Sequence, residues 1–200
     1  MRVKAILAVD TSGSMSGKKL SDAKKALAKF RKKLPREAQV GIVSFNGGGA
    51  KLIQRPTSGP GSVKTSLKKL DASGSTPLHA GLKRSYQQFR QFNTKGLKDK
   101  FLKAVTPKSQ RNGEDYKKHI VISTDGKGNR GPGNKGILKL GTKIKNRGID
   151  IVTVAIGTNA DTGLLRKLAS GKENYHKADF SGELPATYEE IAKGITPKEG

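Results

Sequence analysis

The sequence predicts an α/β fold: a doubly wound, mostly parallel central sheet with one short antiparallel edge strand and helices on both faces. Apolar strand-like runs alternate with amphipathic helical segments along nearly the whole chain, and the runs are rich in β-branched residues. Such runs are typical of strands that are covered on both faces. Their alternation with helices favours parallel strands joined by helical crossovers. We expect residues 1–200 to form a single domain with a sizeable core.

The first strand, residues 3–9, stops abruptly at a carboxylate. Asp10 is followed by the hydroxyls of Ser12 and Ser14 at alternate positions, before a basic helix begins at Lys18. One charged and two neutral oxygens on a tight turn suit a hard cation such as Mg²⁺ or Mn²⁺ better than zinc. The end of this strand is therefore predicted to be a metal-ligating edge.

The first half of the chain continues with a helix, a hairpin and a second helix. Residues 18–34 repeat apolar side chains at steps of three and four, and Pro35 ends this helix. Residues 39–45 predict a second strand, and residues 50–53 a short third strand paired with it as a hairpin. A short helix is expected around residues 63–70.

The second half alternates in the same way. Thr76 precedes a helix and suits its N-terminal cap. Residues 93–117 are polar and basic, and we expect an elaborated loop there, with a short helix near residues 97–105. A strand over residues 119–124 ends at Asp125. The remaining predicted elements are a helix to about residue 146, a strand over 149–156, a helix over 162–169, a short strand over 175–178 and a closing helix over 185–195.

Three motifs resemble a known family. The pattern Asp10-x-Ser12-x-Ser14 after a buried first strand resembles the metal ion-dependent adhesion site of the von Willebrand factor type A family. Gly74-Ser75-Thr76-Pro77-Leu78 is similar to the loop that carries the family's metal-site threonine, and Ser123-Thr124-Asp125-Gly126 to the segment with its second aspartate. The motifs occur in the family's order, and the resemblance covers nearly the whole chain.

The resemblance implies roles for five residues. Ser12 and Ser14 would coordinate the cation through their hydroxyls, Thr76 would do so in a high-affinity state, and Asp10 and Asp125 would act directly or through water. One coordination position would stay open for an acidic side chain of a partner. The implied function is a metal-dependent protein-protein interaction module, for adhesion or scaffolding, that uses Mg²⁺ or Mn²⁺. A metal that only rigidifies the loops is the alternative for the site.

The charge favours a second class of function. Forty Lys and Arg against 16 Asp and Glu give a formal charge of +24 and a pI near 10.3. Such an excess favours polyanionic partners. The alternative is therefore a nucleic-acid-associated protein, or a structural component of a virion or other multisubunit assembly. Aromatic residues are only 5% of the chain and no specific readout motif is visible. The oligomeric state stays open.

A glycine-rich basic loop follows Asp125. Residues 126–136 include five glycines, and successive glycine amides can form a concavity that binds anions. The loop lies at the same sheet edge as the predicted metal. Such a loop is more often simply mobile, and that is the first interpretation here; the alternative is that Lys127, Arg130 and Lys135 form a rim for an anion or a partner.

Three motifs typical of enzymes are each excluded by a particular residue of this sequence. A phosphatase-type aspartyl nucleophile requires a second Asp where Ser12 stands. A phosphate-binding loop over residues 13–19 is one residue short and has Lys19 in place of Ser or Thr. A lipase-type elbow would have Met15 as its nucleophile. The three histidines lack zinc-ligand spacing, and the chain has no cysteine. We predict that the protein is not an enzyme.

The start of the chain also bears on location. Only a handful of apolar residues precede Asp10, which is too short for a signal peptide or a membrane span. The lack of cysteine gives no sign of an oxidising compartment. We expect a cytoplasmic protein, or one contained within a larger assembly.

Overall fold

A computed structural model describes residues 2–59, 61–90, 116–126 and 131–197 of the chain. In these ranges it contains six strands and six α-helices. The strands are β1 (Arg2–Asp10), β2 (Gln39–Asn46), β3 (Gly49–Thr57), β4 (Tyr116–Thr124), β5 (Ile149–Ile156) and β6 (Tyr175–Ala178). The helices are α1 (Lys18–Lys33), α2 (Gly61–Leu67), α3 (Leu78–Arg90), α4 (Gly133–Lys145), α5 (Thr162–Leu168) and α6 (Leu184–Ile195).

The strands form one mixed sheet in the order β3-β2-β1-β4-β5-β6. All neighbouring pairs are parallel except β2 and β3, which form an antiparallel pair at one edge. The predicted fold class is therefore confirmed. The chain goes from β1 to β2 on one side and later returns to β4 on the other, so the carboxyl end of β1 is a topological switch point. Ligands of open α/β sheets bind at such points.

Helices cover both faces of the sheet. Alternate residues of β1, from Val3 to Val9, pack with α1, α2 and α6 on one face. The core of the other face is built mainly from side chains of α3, α4 and α5. Every residue of β1 after Arg2 is buried. Because side chains alternate between two covered faces, polar groups of this strand can meet a ligand only at its end.

Most predicted bounds agree with the structure, and β5 and β6 agree residue for residue. The edge strand β3 is longer than the predicted segment 50–53, because Gln54 to Thr57 continue the pairing across register shifts near Ile42. The predicted basic loop over residues 93–117 lies outside the described residues except for its last two, which begin β4. The helix predicted near residues 97–105 also lies outside them.

None of the helices within the described ranges combines the length and the apolar character that crossing a bilayer requires.

Candidate functional site

Asp10 is the last residue of β1 and has no exposed surface. Its Oδ1 accepts a hydrogen bond from the Ser12 backbone N–H at 2.8 Å, and its Oδ2 accepts one from Thr124 Oγ1 at 2.5 Å. Both carboxylate oxygens are thus fixed in direction by neighbouring loops. Thr124 ends β4 and was not predicted as a site residue, although it lies inside the motif that contains Asp125.

Burial raises the pKa of Asp10, and the hydrogen bonds from Thr124 and Ser12 oppose that rise. The nearby carboxylate of Asp125 raises the pKa of Asp10 further. No ion pair joins Asp10 to a basic residue within the described ranges. A buried carboxylate in this setting is stabilised by any cation that reaches it.

The two serines connect Asp10 to the second aspartate. Ser12 Oγ and Ser14 Oγ lie 3.2 Å apart, and Ser14 Oγ donates a hydrogen bond to Asp125 Oδ1 at 2.7 Å. Ser12 and Asp125 are buried, whereas Ser14 is exposed. The structure therefore brings four of the five predicted ligands into one continuous group of oxygens that opens to solvent at Ser14.

Thr76, the fifth predicted residue, lies just before α3 and is only 3% exposed. A methyl group placed on Gly126 would lie 3.1 Å from Thr76 Oγ1, so this hydroxyl faces the residue next to Asp125. The loops after β1 and β4 and the segment before α3 therefore meet at one edge of the sheet, as the three motifs predict.

Backbone contacts hold these loops together. The Gly13 N–H donates to the Gly74 carbonyl, and the Ser73 N–H to the Thr11 carbonyl, both at 2.8 Å. Gly74 has a φ of 68°, and a Cβ there would lie 2.9 Å from the Cα of Gly47. Gly74 is thus required both for its left-handed backbone and for the close approach of the hairpin turn.

Lys19 enters the site from the first turn of α1. Its Nζ donates to Asp125 Oδ2 at 2.6 Å, and the Lys19 side chain is 39% exposed while that of Asp125 is 1% exposed. In the sequence, Lys19 stands out only as a residue that breaks a phosphate-loop pattern. Its role beside Asp125 could not be read from spacing, because it depends on how α1 packs against the loop after β4.

The predicted basic rim is described only in part. Lys135 is exposed in the first turn of α4, whereas Lys127 and Arg130 lie outside the described residues. The segment just before α4 reaches the helix after Thr76, since a Cβ on Gly131 would lie 3.6 Å from the His79 Cβ. The rim stays a prediction.

Within the described ranges, no cluster of three or more His, Cys, Asp or Glu side chains is arranged to hold a metal ion. The candidate site contains two carboxylates and three hydroxyls, so any cation bound there would depend on neutral oxygen ligands as well as on charge. This donor set is that of a hard cation.

A sequence profile of the von Willebrand factor type A domain matches residues 6–190. The chain belongs to the von Willebrand factor type A domain family. Solved structures share this fold, among them a von Willebrand factor type A structure and a mussel byssus protein. One from Catenulispora acidiphila superposes with a TM-score of 0.78 at 17% identity, covering 99% of this chain and 43% of that one. Proximal thread matrix protein 1 of the mussel byssus, in a form with a zinc-occupied MIDAS motif, gives a TM-score of 0.75 at 19% identity and covers 96% and 47%.

Two relatives by sequence are much longer proteins. A magnesium-chelatase 60 kDa subunit of Cereibacter sphaeroides is 29% identical over 150 residues, which are 74% of this type A chain and 25% of that protein. An uncharacterized protein of Synechocystis is 24% identical over 168 residues, which are 84% and 35% of the two chains. The chain thus spans about a quarter to a third of the length of these relatives.

Proposed function

We propose that this type A domain is a metal-dependent protein-interaction module. A divalent cation, Mg²⁺ or Mn²⁺, would be held by Asp10, Ser12, Ser14, Thr76 and Asp125, and would coordinate an acidic side chain of a partner. The observation that carries the proposal is the group of carboxylate and hydroxyl oxygens gathered at the switch point of the sheet, with Asp10 fully buried within it.

The spacing of the oxygens suits this assignment. Neighbouring ligands around an octahedral Mg²⁺ lie about 3 Å apart, because each Mg–O bond is about 2.1 Å long. The Ser12–Ser14 and Ser14–Asp125 oxygen pairs are 3.2 and 2.7 Å apart. These pairs can therefore share one ion after small side-chain rotations that exchange their mutual hydrogen bonds for metal contacts.

The residues around the site would have different roles in cation binding. Thr124 and the Ser12 amide hold the Asp10 carboxylate in one orientation, which limits the reorganisation that a cation would require. Ser14 lies on the solvent side and leaves access for a partner. When bound, the cation supplies Lewis acidity toward an incoming carboxylate. Two protein carboxylates leave a divalent ion less completely neutralised than four would.

Positive surroundings would assist capture of an acidic partner. The net charge of +24 would speed the encounter electrostatically. Metal identity is part of the test, because one structural neighbour holds zinc at its MIDAS motif, whereas the oxygen donors here favour Mg²⁺ or Mn²⁺.

We place the domain among binding modules and not among enzymes. The oxygen cluster contains no histidine, and its only described basic neighbour, Lys19, is already paired with Asp125. One relative is named as a subunit of a magnesium chelatase, and a type A domain could serve a larger enzyme by binding its other parts. A metal that only rigidifies the loops is the alternative within the same site.

Calorimetric titration with Mg²⁺, Mn²⁺ and Zn²⁺ tests the metal site. We expect Asp10→Ala to abolish Mg²⁺ binding while far-ultraviolet circular dichroism shows an intact fold. Asp150→Ala removes an exposed carboxylate at the start of β5 and is the matched control. Ser12→Ala is a milder second variant, and we expect it to weaken Mg²⁺ binding at least tenfold. Unchanged affinity in both site variants would refute the assignment.

Affinity capture separates an interaction role from a structural metal. Wild-type and Asp10→Ala proteins would be used as bait in native lysate, with Mg²⁺ or with a chelator. An acidic protein retained only by the wild type with Mg²⁺ supports the proposal. The same proteins retained with chelator would favour the structural metal.

A further inference from the structure

The helix layer formed by α3, α4 and α5 carries an unusual distribution of charge. Within their bounds these helices contain no Asp or Glu, although they contain many Lys and Arg. α4 packs between α3 and α5, so the three helices present one continuous outer surface. Asp161 precedes α5, and its oxygens already accept hydrogen bonds from Leu164 N and Asn134 Nδ2.

Seven exposed basic side chains of the described residues belong to this layer, which we call the α3–α4–α5 surface. They are Lys83, Lys135, Lys139, Lys143, Arg147, Arg166 and Lys167. Within the described ranges, none of them forms an ion pair with a carboxylate. Their charges are therefore not compensated by these parts of the protein.

The opposite helix layer is different. There, Lys29 and Lys33 of α1 pair with Glu189 of α6, at 3.2 and 3.7 Å. Lys18 and Lys25 pair with Asp22 within α1. The opposite layer thus mixes carboxylates with its basic residues, although Lys32, Lys64, Lys68 and Lys69 there are also exposed and form no ion pair within the described ranges. The α3–α4–α5 surface differs because its helices contain no carboxylate.

We propose that the α3–α4–α5 surface binds the phosphate backbone of nucleic acid, independently of the metal site. Lys135, Lys139 and Lys143 recur every fourth residue along α4 and are all exposed. They span about 12 Å at 1.5 Å per residue. One strand of B-DNA presents about three phosphates over this length.

Other features of the surface favour phosphate contacts over base contacts or lipid. The ring of Tyr175, beside α5, packs against the core and has the Arg166 guanidinium 4.7 Å from its centroid, so it is not presented for base stacking. Among the described residues, Phe180 is the large apolar side chain that is prominently exposed, and it lies on the loop after β6. The basic surface thus lacks the apolar anchors of membrane-binding helices.

The test compares two triple variants with the same net charge. One replaces Lys135, Lys139 and Lys143 with Gln. The control replaces Lys64, Lys68 and Lys69 with Gln; these are exposed lysines in or just after α2, on the opposite layer. Binding to a fluorescein-labelled DNA duplex of about 20 base pairs, and to an RNA of similar length, would be measured by anisotropy, once with Mg²⁺ and once with EDTA, over about 50–200 mM salt.

We expect the wild type to bind with an affinity that falls steeply with salt. The α4 variant should lose at least tenfold in affinity and about two to three units of salt slope, while the α2 control should change by less than about threefold. Asp10→Ala should bind like the wild type, so failure of the metal proposal would not affect this result.

Three outcomes would overturn the inference. Equal losses in both triple variants would show that the binding is due to diffuse charge. Loss of binding with EDTA or in Asp10→Ala would assign it to the metal site. Absence of binding to both nucleic acids would refute the proposal, and retention on vesicles of phosphatidylglycerol and phosphatidylcholine would then identify a lipid surface instead.

Discussion

At the scale of single residues, Lys19 matters most at the candidate site, because it places a positive charge on a predicted metal ligand, Asp125. Its ammonium group lies 2.6 Å from Asp125 Oδ2, on a carboxylate whose other oxygen accepts from Ser14. A divalent cation bound by Ser14 and Asp125 would therefore have a positive side chain close by. Lys19 and the metal would compete for the charge of Asp125.

We predict that Lys19→Gln raises Mg²⁺ affinity about tenfold, because one nearby positive charge is removed from a partly buried site. Calorimetric titration at constant ionic strength measures the change. Lys18→Gln is the control, since Lys18 is adjacent in sequence but pairs with Asp22. Weaker Mg²⁺ binding by Lys19→Gln would instead mean that Lys19 is needed to position Asp125.

His119 is a buried titratable residue on β4, away from the oxygen cluster. Neither of its ring nitrogens has a hydrogen-bond partner in the described part of the chain, and Asp150 Oδ2 lies 3.8 Å from Nδ1. Burial lowers the pKa of His119 from 6.5 to about 4, and Asp150 only partly opposes this shift. The folded protein therefore keeps His119 neutral where the unfolded chain would protonate it.

The lowered pKa makes stability depend on pH in one direction. The part of the unfolding free energy that depends on neutral His119 is fully present above pH 6.5 and is lost as the pH falls toward 4. We predict that His119 alone costs about 2 kcal/mol of unfolding free energy between about pH 7.5 and pH 5. Urea unfolding of the wild type and of His119→Phe at both pH values isolates the contribution of His119 to the unfolding free energy. Equal pH dependence in the two proteins would contradict it.

At the scale of elements, three loops form the site because glycine backbones let them touch. Gly74 combines a φ of 68° with a close approach to Gly47. A side chain at this position would separate the hairpin turn from the segment that carries Thr76. The metal site should therefore be sensitive to a change at a residue that contributes no ligand.

We predict that Gly74→Ala lowers Mg²⁺ affinity at least tenfold and reduces the unfolding free energy by about 1–3 kcal/mol. Gly148→Ala is the control, because Gly148 has a φ of 67° but open space around a Cβ. It shares the backbone strain without the steric clash. Titration and urea unfolding of both variants provide the comparison, and equal metal affinities would show that the clash is absorbed elsewhere.

The elements differ in how far sequence could predict them. β5 and β6 agree with their predicted bounds because apolar or aromatic residues mark their ends. β3 continues through Gln54, whose Nε2 donates to the Val40 carbonyl, and a polar continuation of this kind has no apolar pattern to reveal it. The roles of Thr124 and Lys19 could not be predicted for a related reason. Thr124 contacts Asp10, which lies 114 positions away along the chain, and Lys19 contacts Asp125, which lies 106 positions away.

At the scale of the whole molecule, a cation at the switch point would contact segments from both halves of the sheet. Asp10 ends β1 and Asp125 follows β4, and Thr76 lies between them in the chain. Binding that requires all three segments in place should favour the folded state over the unfolded one. The fold and the site are therefore thermodynamically linked.

We predict that Mg²⁺ at about one hundred times its Kd adds about 2.7 kcal/mol to the stability of the wild type, which corresponds to a rise of roughly 5–10 °C in Tm. Asp10→Ala should lack this rise. The reference buffer needs NaCl of equal ionic strength, because any salt screens repulsion in a chain of charge +24. Calorimetric scans of both proteins check the prediction, and equal shifts would contradict it.

The rims of the sheet also limit how other polypeptides can attach. At one rim, β3 exposes Lys51 and Arg55, contains Pro56, and shifts its register along β2. At the other, β6 is only four residues long. Charged, kinked or very short edge strands are poor templates for strand addition. Extended peptides should therefore not prolong this sheet, copies of the domain should resist edge-to-edge polymerisation, and recruitment must take place through loops and helices.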